Sequence, residues 1–301
     1  MRLLITGGTG MIGSELIRKL ITSDLCILTR NINKAKKKFK HLPQHRIRFL
    51  TDLNQLGNLN GYDAVINLAG EPIINKRWSP YQKALICRSR WDITRKLVSL
   101  IHLSSTPPSR FISGSAIGYY GDQGSIEFDE TLEVQDSSFS HGVCEKWESI
   151  ALSARGRTRV CLLRTGVVAS SEGGMLARML PFYKLGLGGV IGNGEQYLSW
   201  IHIDDVVRAI LFLIEHDLAG PFNISTPHPV RFKEFTRQLA FIIQRPHFLS
   251  IPQRALKIMM GESSHLLLAS YRAKPRLLLE SGFTFRYPTL KPALRDLLER
   301  S

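Results

Sequence analysis

Met1-Arg2-Leu3-Leu4-Ile5-Thr6-Gly7-Gly8-Thr9-Gly10-Met11-Ile12-Gly13 is the stretch whose reading decides the fold. Leu3, Leu4 and Ile5 form a short apolar run suited to a parallel strand buried on both faces. Gly7, Gly10 and Gly13 then stand three apart, and Ser14 to Ile21 reads as a helix. The first glycine permits the tight turn off the strand, and the second lets backbone approach a pyrophosphate. The third lets the helix pack on the sheet. Free N–H groups and partial positive charge at the helix start suit phosphate groups. Strand, glycine triplet and helix in this order predict a dinucleotide-binding α/β fold with a doubly wound parallel sheet.

The next strand, Leu25 to Leu28, ends at Thr29-Arg30-Asn31, where cofactor choice is made. An acidic side chain there would bind the adenosine ribose hydroxyls and repel a 2′-phosphate. Thr29 and Arg30 take that place instead, and a guanidinium pairs well with a 2′-phosphate, so NADP is expected over NAD. Ile47 to Leu50 and Asp63 to Asn67 read as the third and fourth strands. Leu68 and Ala69 follow as candidates for backbone contact with the cofactor. Ser79-Pro80 opens a helix to Leu103, the serine as cap and the proline in the first turn. Arg90 lies on this helix, which crosses the cofactor in doubly wound folds.

Arg110 to Ser113, Val160 to Leu163 and Pro221 to Ile224 complete the expected sheet, with a helix from His141 to Ala154. The acidic stretch from Asp122 to Ser140 reads as a flexible lip, and the glycine-rich run from Gly173 to Gly194 as a lid or closely packed backbone. Tyr197 to Ile203 reads as a short strand, with Asp204 capping a helix that runs through Glu215. Expected domain limits are 1–170 plus 201–225 for the cofactor domain, and 171–200 plus 226–301 for the substrate domain.

The chain of 301 residues is 44% apolar and 22% charged, ordinary for a globular protein. No apolar run reaches the ~18 residues of a membrane span, and the chain opens directly on a strand, so no membrane partner and no signal peptide are expected. Cys26, Cys87, Cys144 and Cys161 are scattered, which argues against a disulfide framework or a zinc site and for a cytoplasmic address. No metal is expected. The net charge of +15 is densest from Lys34 to Lys40. It lacks the aromatic interleaving of a nucleic-acid module, so a solvated basic helix beside a phosphate-bearing cofactor is the preferred reading. The expected partner is a small-molecule substrate; a protein partner and the oligomeric state are left open.

Together, Gly7 to Gly13, Asn67-Leu68-Ala69-Gly70, Ser115-Ala116 with Tyr120-Gly121, and Trp200-Ile201-His202-Ile203-Asp204-Asp205 resemble an extended short-chain dehydrogenase/reductase. Asn67 to Pro72 with Lys76-Arg77-Trp78, Ser89-Arg90, Leu163 to Val168, Leu185 to Gly189 and Gly282 to Asp296 narrow the likeness. They resemble the YfcH-like NAD(P)-dependent epimerase family, with its C-terminal domain of unknown function. The resemblance implies a Rossmann domain with a small C-terminal α+β substrate domain. It implies NADP held by Gly7, Gly10, Met11, Ile12, Thr29, Arg30, Leu68, Ala69, Arg90 and Val168. It names no substrate.

Typical members of that superfamily use Ser, Tyr and Lys. Lysine lowers the tyrosine pKa and holds the nicotinamide ribose, tyrosine exchanges the proton, and serine hydrogen-bonds the reacting oxygen. Tyr and Lys stand four apart on one helix. Here the residue four before Lys146 is Gly142, so this chain is atypical. Ser115 is the first catalytic candidate, Tyr120 (or Tyr119) the replacement phenol, and Lys146 the ribose contact. His141, Cys144 and Glu145 are substitutes for acid–base work, and His202 reads as scaffold. The expected function is hydride transfer on an unidentified small substrate, sugar-nucleotide-like or carbonyl. The alternative is a catalytically silent NADP-binding sensor or scaffold.

Overall fold

The computed structural model describes residues 1–300, and its centre is one sheet of seven parallel strands. These are β1 (Arg2–Thr6), β2 (Asp24–Leu28), β3 (Ile47–Leu50), β4 (Ala64–Asn67), β5 (Arg110–Ala116), β6 (Arg159–Thr165) and β7 (Gly220–Ile224). Their order across the sheet is β3-β2-β1-β4-β5-β6-β7. The order reverses between β1 and β4, and ligands bind outside the carboxyl ends of the strands at such a switch point.

Strand periodicity explains the two faces. Leu3 and Ile5 of β1 join one core with Ala64, Ile66, Cys161 and Leu163. Leu4 points the other way, into a second core with Val65, Val160 and Leu162. Both faces are therefore dry, and each fully buried Leu or Ile contributes about 1.5–3 kcal/mol. The helices α1 (Met11–Lys19), α2 (Ile32–Lys38), α3 (Pro80–His102) and α4 (Phe139–Leu152) follow β1, β2, β4 and β5 in turn. Ser79 caps α3 by accepting from the Gln82 amide at 3.2 Å, with Pro80 at its start.

Beyond the sheet, α5 (Gly174–Lys184) and strand Gly188–Ile191 occupy the glycine-rich run, whose backbone is closely packed: a side-chain carbon at Gly189 would come within 2.0 Å of the Leu249 carbonyl oxygen. α6 (Ile203–Glu215), α7 (Phe232–Ile242), α8 (Gln253–Met260) and a closing helix, Leu290–Glu299, follow. Two-residue strands pair Glu127–Phe128 with Arg272–Ala273, anchoring the stretch expected to be a flexible lip. The cap of α6 is His202, whose ring accepts from the Asp204 amide at 3.1 Å; Asp204 sits inside the first turn. No helix is long and apolar enough to cross a membrane among the described residues.

Candidate functional site

The loop after β1 is held by two interlocked close approaches. Gly7 has φ +69°, and a side chain there would come within 2.4 Å of the Leu68 carbonyl oxygen. At Gly13 the first side-chain carbon would meet the Gly7 carbonyl oxygen at 2.4 Å. The turns after β1 and β4 therefore touch as bare backbone. The Gly7 carbonyl accepts from the Gly10 amide at 3.0 Å, and Gly10 caps α1 without supplying a side-chain acceptor. The α1 N-terminus is thus left for an outside anion.

Thr6 steadies the floor of the crevice. Its hydroxyl donates to Asn67 Oδ1 at 2.6 Å and accepts from the Ala69 amide at 3.3 Å. Asn67 Nδ2 donates to Thr94 Oγ1 at 2.8 Å, and Trp147 Nε1 donates to the same oxygen at 2.9 Å. Strand β4 and helices α3 and α4 are locked together by this network. Arg90 is half-buried, with Nη1 donating to the Glu71 and Ile86 carbonyls and the guanidinium 5.4 Å from the Trp147 ring. It lies against Gly70, at the turn holding Leu68 and Ala69.

Thr29 is buried and exchanges weak 3.3 Å bonds with Asn31, which caps α2 by accepting from the Lys34 amide at 2.9 Å. Arg30 between them is exposed and has no partner among the described residues. From α2, Lys38 reaches back to the Thr9 carbonyl at 3.0 Å. Val168 is buried, and the Met11 side chain reaches Gly173 and Gly174 just beyond it. The uncapped helix start, the bare-backbone contact and the free guanidinium at the end of β2 fit a phosphorylated dinucleotide.

At the end of β5 the structure departs from expectation. Tyr120 is fully buried; its hydroxyl donates to Asn223 Oδ1 at 2.8 Å and accepts from Arg164 Nη1 at 2.9 Å. Burial pushes its phenol far above the ordinary range despite Arg164. Tyr120 is therefore a core residue here, a correction to its reading as the replacement phenol. Lys146 stands outside this network. It lies on the exposed face of α4 with Gly142 and Glu145, its Nζ 5.0 Å from the Trp91 ring.

The inward stripe of α4 is instead Ser140, Cys144 and Glu148, each four residues from the next. Ser115 Oγ donates to Glu148 Oε1 at 2.6 Å, and Arg164 grips both carboxylate oxygens at 2.9 and 2.8 Å. All three side chains are buried. Burial acts to lower the Arg164 pKa, but the bonds from Glu148 and Tyr120 hold it above the ordinary value. Burial and the Glu148 charge push the Cys144 thiol up to about 11, so it stays protonated at neutral pH and is a poor nucleophile. His141 is also buried, its Nδ1 on the Tyr119 carbonyl. The stripe was available in the sequence as an i, i+4, i+8 series. Of its three residues only Cys144 is among the candidates the sequence offers; the Tyr–Lys spacing does not single out Ser140 or Glu148.

His202, Asp204 and Asp296 form the one cluster with metal-ligand spacing among the described residues. Its donors are already used: His202 Nδ1 accepts the Asp204 amide, Nε2 faces Asp296 at 3.1 Å, and Arg300 bonds both carboxylates. The neighbouring Asp205, fully buried, accepts the amides of Arg286 and Tyr287 at 2.8 Å each. This motif is a clamp on the C-terminal segment.

The NAD-dependent epimerase/dehydratase family profile matches residues 3–225, and a domain of unknown function, DUF1731, matches residues 251–297. An Arabidopsis thaliana protein named Epimerase family protein SDR39U1 homolog, chloroplastic, is 37% identical over 304 residues, covering 99% of this chain and 87% of its own. Epimerase family protein SAR0825 of Staphylococcus aureus is 35% identical over 313 residues, with 99% of each chain covered. A crystal structure of human epimerase family protein SDR39U1 (isoform 2) with NADPH matches with a TM-score of 0.90 at 29% identity, over 100% of both chains.

Proposed function

The chain belongs to the NAD-dependent epimerase/dehydratase family, and on that premise we propose that it is an NADP(H)-dependent oxidoreductase or epimerase of a small hydroxyl or carbonyl compound. Bound in the crevice, the coenzyme supplies or accepts a hydride. The backbone of Gly7, Gly10, Met11 and Ile12 receives the pyrophosphate at the start of α1. Thr29 and Arg30 take the adenosine end, with the Arg30 guanidinium on the 2′-phosphate. Leu68, Ala69 and Val168 wall the crevice, and Arg90 supports the turn after β4. Ser115 is the polar contact proposed for the substrate oxygen. The observation that carries the cofactor assignment is the exposed, unpartnered Arg30 at the end of β2, where an NAD-selective site needs a carboxylate. The relative solved with NADPH supports the same choice. Titration of purified protein with NADPH and NADH, followed by nicotinamide fluorescence, tests it. Tighter NADPH binding is expected; equal affinity, or none, overturns the assignment.

A second reading rests on the committed hydroxyl of Ser115. Its proton goes to Glu148, Tyr120 is buried in the core, and Gly142 stands where the usual tyrosine would be. On that reading the protein binds NADPH and senses or scaffolds without turnover. Consumption of NADPH with any member of an aldehyde and ketone panel selects the first reading; saturating binding without consumption selects the second. We propose the cytoplasm as its compartment, and the division into 1–170 plus 201–225 and 171–200 plus 226–301 as its functional halves.

A further inference from the structure

Two separate segments, 173–194 and 244–260, contain no Asp or Glu. They carry Arg178, Lys184, Arg245, Arg254 and Lys257, all exposed. Between these cations stand Phe182, Leu185, Leu187, Phe248, Ile258 and Met259, each half exposed or more, with Ile258 at 76%. The segments form one lobe. Gly188–Ile191 pairs in parallel with His247–Ile251, and Arg245 Nε donates to the Lys184 carbonyl at 3.1 Å. In α8 only Leu256 is buried. The lobe borders the crevice: α5 starts against Met11, Arg178 bonds Asn75 in the loop after β4, and Lys83 pairs with Glu262 just past α8.

Large apolar side chains interspersed with cations and no anions suit an anionic lipid surface, into which the apolar groups insert while the cations meet headgroups. A second copy docked face to face would set like charges against each other. We infer that this lobe seats the protein on anionic membranes, with the crevice mouth beside the lipid. The absence of a spanning helix has no bearing on this, since lying on a membrane asks only for an exposed patch.

The test is co-sedimentation of the full-length protein with vesicles of phosphatidylcholine alone or mixed equally with phosphatidylglycerol. Binding is expected only to the mixed vesicles, weakened but not abolished by added salt. Phe248→Asp combined with Ile258→Asp should lower partition by about tenfold or more. Both positions are exposed, so the thermal melt should not move; a shifted melt directs the same measurement to Phe248→Ser with Ile258→Ser. Three outcomes overturn the inference: no sedimentation with mixed vesicles, variants that bind like the wild type, or a dimer in solution that these variants dissolve.

Discussion

Gly7 shows how much one position decides. Its positive φ costs any other residue about 1–2 kcal/mol, and the Leu68 carbonyl leaves no room for a methyl group. Gly7→Ala should lower unfolding free energy by more than that and abolish NADPH binding, read by urea denaturation and fluorescence titration. Arg30 lies at the other extreme, exposed and free of structural duty. Arg30→Asp should leave stability unchanged and weaken NADPH binding about 10- to 100-fold while sparing NADH, the loss of one charge-assisted contact. Glu148 falls between them. Removing its charge strands a buried guanidinium, so Glu148→Leu should cost about 3–5 kcal/mol in urea denaturation, against little for the exposed neighbour Glu145→Leu. These three residues were not equally legible. The glycine and Arg30 announce themselves by spacing and by where a strand ends. Glu148 looks like any helical glutamate until β6 brings Arg164 against it.

At the scale of elements, the sheet was legible nearly throughout, because buried parallel strands read as apolar runs and Pro80 and Ser79 mark a helix start. Strand β3 was read with its observed ends, Ile47 and Leu50. Two segments show what a sequence pattern leaves out. The run from Gly173 to Gly194 reads from its glycines as a lid or closely packed backbone; what the glycines hide is a helix, with Leu176, Leu180 and Tyr183 as its buried stripe. In α4 the usual Tyr–Lys spacing points to Gly142 and Lys146, whereas a shift of two residues, about 160° to 200° around the helix, reaches the buried Ser140, Cys144 and Glu148. Capping gives a test at this scale. Ser79→Ala should cost about 1 kcal/mol by urea denaturation, and Ser79→Asp should restore it.

For the molecule as a whole, the clamp at His202 and Asp205 joins the end of the chain to the sheet-bearing half. Asp205→Asn keeps one acceptor and turns an N–H toward a buried backbone donor, so about 2–3 kcal/mol should be lost. Limited proteolysis should then cut near Arg286 before other sites. His202 makes the clamp pH-dependent. Burial lowers its pKa below the ordinary 6.5, against the opposing pull of Asp204 and Asp296. The unfolded chain therefore takes up the proton first: its contribution is complete above 6.5 and lost as pH falls toward the folded value. Melting temperature should drop as pH falls below about 6.5, and less so in His202→Gln. None of this long-range bonding could be read from the sequence, since Asp205 and Tyr287 lie 82 residues apart. The sheet's edge carries a consequence for synthesis. Strand β7 begins at Gly220, so a nascent chain leaves β6 with a raw hydrogen-bonding margin until that segment clears the ribosome. Ribosome-bound fragments that stop short of it should recruit chaperones and clump, and those that pass it should do so less, since a five-residue strand then forms the margin in place of a seven-residue one.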